Sequence, residues 1–166
     1  MPMKKRSRIF IAVACICAVS FLSTAHAFSQ EHIRKLDGVR TSMTGMGNKL
    51  PELIKNSQPE DFRTLERLYE INNYALVTIE SYLKMIRIMV SSGGSINKDS
   101  LTVLNGWLKF IKHYCEYDLK YFDEVIADTK DAGIQKIVAE ERANVMELKN
   151  ISEKGMNENI EIANKI

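Results

Sequence analysis

The sequence predicts an all-α protein: an antiparallel, up-down-up-down four-helix bundle with two long central helices, about 58–92 and 98–131, preceded by a signal-peptide helix. Three observations predict it. Apolar residues recur at 3-4 spacing over most of the chain, the mark of amphipathic helices. Strand signals are missing, with no sustained period-2 alternation and no Asn-Gly turn between β-branched runs. Short turn-forming clusters separate the helical stretches, which favours antiparallel neighbours. A length of 166 residues bounds the chain to one domain, and 45% hydrophobic against 27% charged residues is a globular balance. A net charge of +2 excludes a strongly basic nucleic-acid binder, whose affinity rests on many phosphate contacts.

Residues 1–27 read as a secretory signal peptide. Lys4, Lys5, Arg6 and Arg8 form a basic start, and Ile9 to Leu22 is apolar apart from Ser20. Ser23-Thr24-Ala25-His26-Ala27 then ends in an A-x-A pattern, so cleavage is expected after Ala27. The apolar run is shorter than the about 20 residues of a spanning helix. Cys15 and Cys17 lie within it but lack the Leu-small-small context of a lipoprotein signal. The remaining domain, 28–166, is expected to be periplasmic or secreted, with a membrane role only for the signal peptide before cleavage. Four of the 23 basic residues leave with the signal, so the remainder carries 19 against 21 acids, a net −2. Cys115 is then the sole cysteine, a free thiol that precludes an internal disulfide and could form one only between molecules.

The first helix of the mature chain is expected from about 29 to 48. Leu36, Val39, Met43, Met46, Leu50 and Leu53 keep helical spacing, but Gly45, Gly47 and Pro51 predict a break. Ser57 followed by Pro59 and Glu60 predicts a capped start for the second helix. Its seam is Phe62, Leu65, Tyr69, Asn72, Leu76, Ile79, Leu83, Ile86 and Val90, ending at Ser91-Ser92-Gly93-Gly94. Leu68, Ile71, Ala75, Tyr82, Met85 and Met89 widen the stripe, so this helix should pack on two neighbours. Asn97 or Asp99 caps the third helix, with seam Leu101, Leu104, Leu108, Ile111, Cys115, Asp118, Phe122, Val125 and Thr129. Asp131-Ala132-Gly133 offers its stop. The stripe of the fourth helix drifts, and Gly155 and Asn157 predict fraying of the last dozen residues.

Folding helices two and three back on each other matches their seams layer by layer, Ile86 with Leu104, Ile79 with Ile111, Tyr69 with Phe122. Each seam has one strongly polar position, and the two meet: Asn72 faces Asp118. The spacing therefore predicts a buried polar pair in which the Asn72 amide donates to the Asp118 carboxylate. Such a pair fixes helix register, or forms a polar floor for a ligand.

Catalytic and metal constellations do not emerge. His113-Tyr114-Cys115-Glu116-Tyr117-Asp118 is rich in reactive types, but sequence neighbours on a helix do not face each other, so no Cys-His pair forms from it. His32 and His113 lack a Glu three residues before them, and no C-x-x-C-H, G-x-S-x-G or H-E-x-x-H occurs. No enzymatic activity, metal or cofactor is expected. A second ridge on helix three stands out: Trp107, Phe110, Tyr114, Tyr117 and Tyr121. It either packs on helix one or four or stays open as stiff amphipathic contact area for a protein, peptide or sugar partner. Lys109, Lys112 and His113 offer polar contacts beside it. These features predict a binding, scaffold or adaptor module of the bacterial cell envelope. The alternative is a small-molecule or cofactor binder, haem included, with a cavity near Asn72, Asp118, Leu76 and Cys115.

Overall fold

A computed structural model describes residues 4–91 and 97–166, with side chains described from 30 to 89 and from 97 onward. The Val90 layer, the Ser92–Gly94 stop and the side chains of the signal segment lie outside the described residues. Four helices follow in order, α1 Lys4–Asn56, α2 Pro59–Ser91, α3 Lys98–Asp128 and α4 Ala132–Ala163. The chain forms two compact units, 1–34 and 35–166. The second is a four-helix bundle made by the C-terminal part of α1 with α2, α3 and α4. Hydrogen bonds from Ser42 to Asn144 and from Asn72 to Met43, and the Tyr74–Tyr114 ring contact, join α1 to α4, α2 to α1 and α2 to α3. Asn105–Asn159, Lys112–Glu153 and Asp123–Arg142 set α3 and α4 antiparallel, since rising numbers on one meet falling numbers on the other. The core holds Leu36, Met43, Leu50, Leu68, Ile71, Ile79, Leu108, Ile111, Phe122 and Val138, all fully or almost fully buried.

The central helices match the sequence reading to within about three residues, the usual uncertainty of a helix end. Several details differ. Helix α1 does not break near Gly45; it runs through Gly47 and Pro51 to Asn56. Burial of Met46 and Leu50 overrides the weak propensity. Gly47 is there for proximity: a Cβ on it would lie 2.8 Å from Asn72 Oδ1. Ser57 does not cap α2. Its hydroxyl donates to the Ile54 carbonyl at 2.8 Å, closing the end of α1. Asn97 does cap α3, its Oδ1 accepting from the Ser100 N–H at 2.8 Å. Asp131 starts a helix instead of stopping one, its Oδ1 accepting from the Ile134 N–H at 2.8 Å.

Phe62 and Tyr69 face solvent, because the inward line at that end of α2 runs through Leu65, Leu68 and Ile71. The last dozen residues are not frayed; α4 stays helical to Ala163. Its buried line is Ile134, Val138, Glu141, Val145, Leu148, Ser152, Gly155 and Asn159, a regular 4-3 repeat whose C-terminal members are small or polar. Those small residues let α3 and α4 run backbone to backbone along much of their length, whereas α2 and α3 meet at few backbone positions. No helix among the described residues is long and apolar enough to cross a membrane.

Candidate functional site

The polar layer of the core is larger than the pair read from the seams. Asn72 and Asp118 are both fully buried, but the amide does not donate to the carboxylate. Asn72 Nδ2 donates to the Met43 carbonyl at 2.9 Å and to Glu141 Oε1 at 3.0 Å. Both amide hydrogens are thereby used, which is the physical reason the expected bond is absent. Glu141, fully buried on α4, also accepts from Asn144 Nδ2 at 3.1 Å. Asn144 in turn accepts from the Ser42 hydroxyl at 2.7 Å. A hydrogen-bonded line thus joins the α1–α4 surface to the centre of the bundle. Burial raises the Glu141 carboxyl above its usual value, while Asn144 and Asn72 oppose the shift.

Asp118 stands apart from that line. Neither carboxylate oxygen has a hydrogen-bond partner of normal geometry among the described residues. Burial pushes the carboxyl up to about 6, against the opposing pull of Arg67 and of the Tyr114 hydroxyl. Arg67 lies near the carboxyl, but its Nη1 donates at 2.9 Å to Glu70 Oε2 on the α2 surface. Asp118 is therefore a buried acceptor set beneath the α2–α3 face, with its own arginine drawn to the rim.

That face carries the aromatic ridge. Trp107, Phe110 and Tyr117 are 36%, 46% and 64% exposed. Tyr114 and Tyr121 are half-buried. Helix α2 lies along the inner edge of the ridge. Tyr74 of α2 packs on Tyr114, ring centroids 4.4 Å apart, and is itself 45% exposed. Trp107 and Phe110 meet edge to face at 6.2 Å. Tyr121 sits beside Thr64 of α2.

The remaining candidates separate. Cys115 is buried and free, and burial pushes its thiol up to about 12, which favours the protonated form. Lys112 turns to α4, 3.1 Å from Glu153, away from the ridge; Lys109 and His113 are exposed. Among the described residues no three His, Cys, Asp or Glu side chains gather in metal-holding geometry. Residues Thr41, Ser42, Gly45, Lys49, Glu140 and Asn144 line an open α1–α4 groove of about 350 Å³, away from the expected Leu76–Cys115 cavity.

Two polar residues escaped the sequence reading. Glu141 sits midway in the heptad gap between Val138 and Val145, and that spacing was the available signal. Asn159, buried, donates to Asn105 Oδ1 at 2.9 Å, where a glycine-and-asparagine stretch read as a frayed end.

No family model matches the chain, and no curated protein matches it. The fold is similar to that of a solved structure described as an iron binding protein, with a TM-score of 0.52 and 15% sequence identity, over 77% of this chain and 97% of that one. At that identity the likeness shows the shared helical fold alone.

Proposed function

We propose that the protein is an exported, non-enzymatic helical bundle that works as a binding module of the bacterial cell envelope, docking a protein partner on its α2–α3 aromatic face. The observation that carries the reading is the exposure of Trp107, Phe110 and Tyr117 in one row, extended across the groove by Tyr74. Monomeric proteins rarely leave contiguous aromatic surface in water unless it is used. Trp and Tyr are the side chains that dominate binding energy at interfaces. The basic start, apolar run and Ala25-His26-Ala27 site support export with the chain beginning at Phe28. The buried, protonated Cys115 thiol supports a non-enzymatic role.

Two experiments test this. Native mass spectrometry of protein exported from a bacterial host should give a chain starting at Phe28; an uncut chain defeats the export reading. A photo-crosslinking residue at Tyr117 should give discrete adducts in the envelope that disappear with Trp107→Ala/Phe110→Ala. The same crosslinker at Lys136, on the exposed surface of α4, should give none. Equal adducts from both faces would overturn the docking reading.

A second reading has one observation in its favour. The neighbour described as an iron binding protein shares the fold, and the core here holds two buried carboxylates, Asp118 and Glu141. A small ligand bound in the bundle would then meet these acids. Added non-covalent mass in the same spectrum would favour it.

A further inference from the structure

Three facts about the α2–α3 face belong together. Asp118 is fully buried beneath it, with no hydrogen bond of normal geometry on either oxygen and only the Tyr114 hydroxyl near it as a neutral donor. The cover over that carboxylate is aromatic: Tyr114 sits one helical turn before it and stacks against Tyr74. The α2 and α3 backbones meet at few positions, so side chains fill the space between them, and one of these, Tyr74, is 45% exposed. A buried carboxylate with no well-formed hydrogen bond calls for a cation. An aromatic wall favours one that is broad, flat and weakly hydrated.

We propose that this face takes an arginine side chain from the protein partner, its guanidinium passing between Tyr74 and Tyr114 to pair with both oxygens of Asp118. The inference rests on the docking reading above and names the partner's recognition element. Guanidinium presents two parallel N–H donors, which match the two free oxygens of one carboxylate; lysine presents a point charge and serves one of them less well. The tyrosine faces stack on the guanidinium plane. Phe110 and Tyr117, exposed on either side, supply apolar contact around the charge and exclude water from it. The site already tolerates such a group nearby, since Arg67 acts on the same carboxyl from the rim. Its bond to Glu70 keeps it there and leaves the oxygens open. Entry requires only rotamer changes of Tyr74 and Tyr114, the ordinary scale of change at an interface.

The test uses the purified protein with N-acetylarginine amide, followed through the tyrosine ring resonances by NMR. N-acetylcitrulline amide (the same shape without the charge), N-acetyllysine amide and magnesium chloride run in parallel. The arginine probe should shift the Tyr74 and Tyr114 signals saturably. Citrulline should bind about tenfold more weakly or not at all, and lysine should fall between, because the charged bond is lost or halved. Asp118→Asn should weaken the arginine probe by about tenfold while the helical circular dichroism stays unchanged. Where Asp118→Asn loses helicity, Tyr114→Leu takes its place and should weaken the probe likewise. Four results would overturn the proposal: no saturable shift with any probe, equal binding of citrulline, arginine binding unaffected by Asp118→Asn or Tyr114→Leu, or magnesium saturating the same shifts and displacing arginine. Crosslinks from Tyr117 that persist alongside a failed arginine titration would remove this inference and leave the docking reading standing. Absence of the crosslinks with arginine binding intact would remove the docking reading, and with it the partner as the source of the arginine, and leave a guanidinium site on this face.

Discussion

Helix α3 has two neighbours and treats them differently. Against α4 it is closed: Ser152 and Gly155 let the backbones approach, Asn159 meets Asn105, and Lys112, Glu153, Arg142 and Asp123 tie the rim. Against α2 it is spread: few backbone positions meet, tyrosines fill the gap, and Asp118 has no hydrogen bond of normal geometry among the described residues. The two seams have the same heptad spacing. What separates them is side-chain size and polar bookkeeping, because small residues bring backbones together and large rings hold them apart. One seam is finished within the chain; the other keeps unmet chemistry on its surface.

The largest effect should come from the closed core. Phe122→Ala removes a fully buried ring and should lower stability by about 3–5 kcal/mol in urea unfolding. A loss under about 1 kcal/mol would mean the α3 core is looser than its burial implies.

Asp118→Asn should go the other way. Burial raises its carboxyl from 3.8 to about 6, so the folded state favours the protonated acid. Its contribution is fully present below the unfolded value and is lost as pH rises through the folded one. The amide should therefore stabilise the protein at pH 7 by about 1–2 kcal/mol, and the gain should fade toward pH 4. A pH-independent gain would place the effect elsewhere.

Two α1 glycines give a smaller and opposite pair. Gly47→Ala puts a Cβ 2.8 Å from Asn72 Oδ1, whose amide is fixed by two bonds, and should cost about 1–2 kcal/mol despite the better helix former. Gly45→Ala meets open space and should gain about 0.5–1 kcal/mol. Thermal melts of the two variants, side by side, check both signs. Smallest of all, Phe110→Ala on the open face should change stability by no more than about 0.5 kcal/mol. Its effect belongs in the crosslinking yield.

The bundle and its central helices were legible because α2 and α3 carry long apolar stripes with defined starts. Asn72 and Asp118 were legible as interruptions of those stripes. Their partners were not. The bond from Asn72 crosses to α4, where Ser152, Gly155 and Asn159 replace bulky seam residues and disguise the repeat that places Glu141. Helix α1 was misread for a related reason: Gly45, Gly47 and Pro51 are poor helix residues by propensity, and only the close approach of Asn72 shows why Gly47 is there. Ser57 and Asp131 show the same limit at the ends, since a capping residue between two helices serves either one. The exposure of the ridge depended on how far α2 stands from α3, a distance that periodicity does not carry.

The burial of Cys115 makes the molecule report on its own opening. Its thiol lies on the α3 seam and is held in the unreactive, protonated form, so an alkylating reagent must wait for the helices to part. The rate of modification then counts excursions of the closed bundle, residue by residue silent until α3 separates from its neighbours. A molecule that docked on the aromatic face would slow that clock without touching the sulfur, turning one hidden atom into a gauge of occupancy for a surface that carries no chromophore of its own beyond Trp107 and the tyrosines.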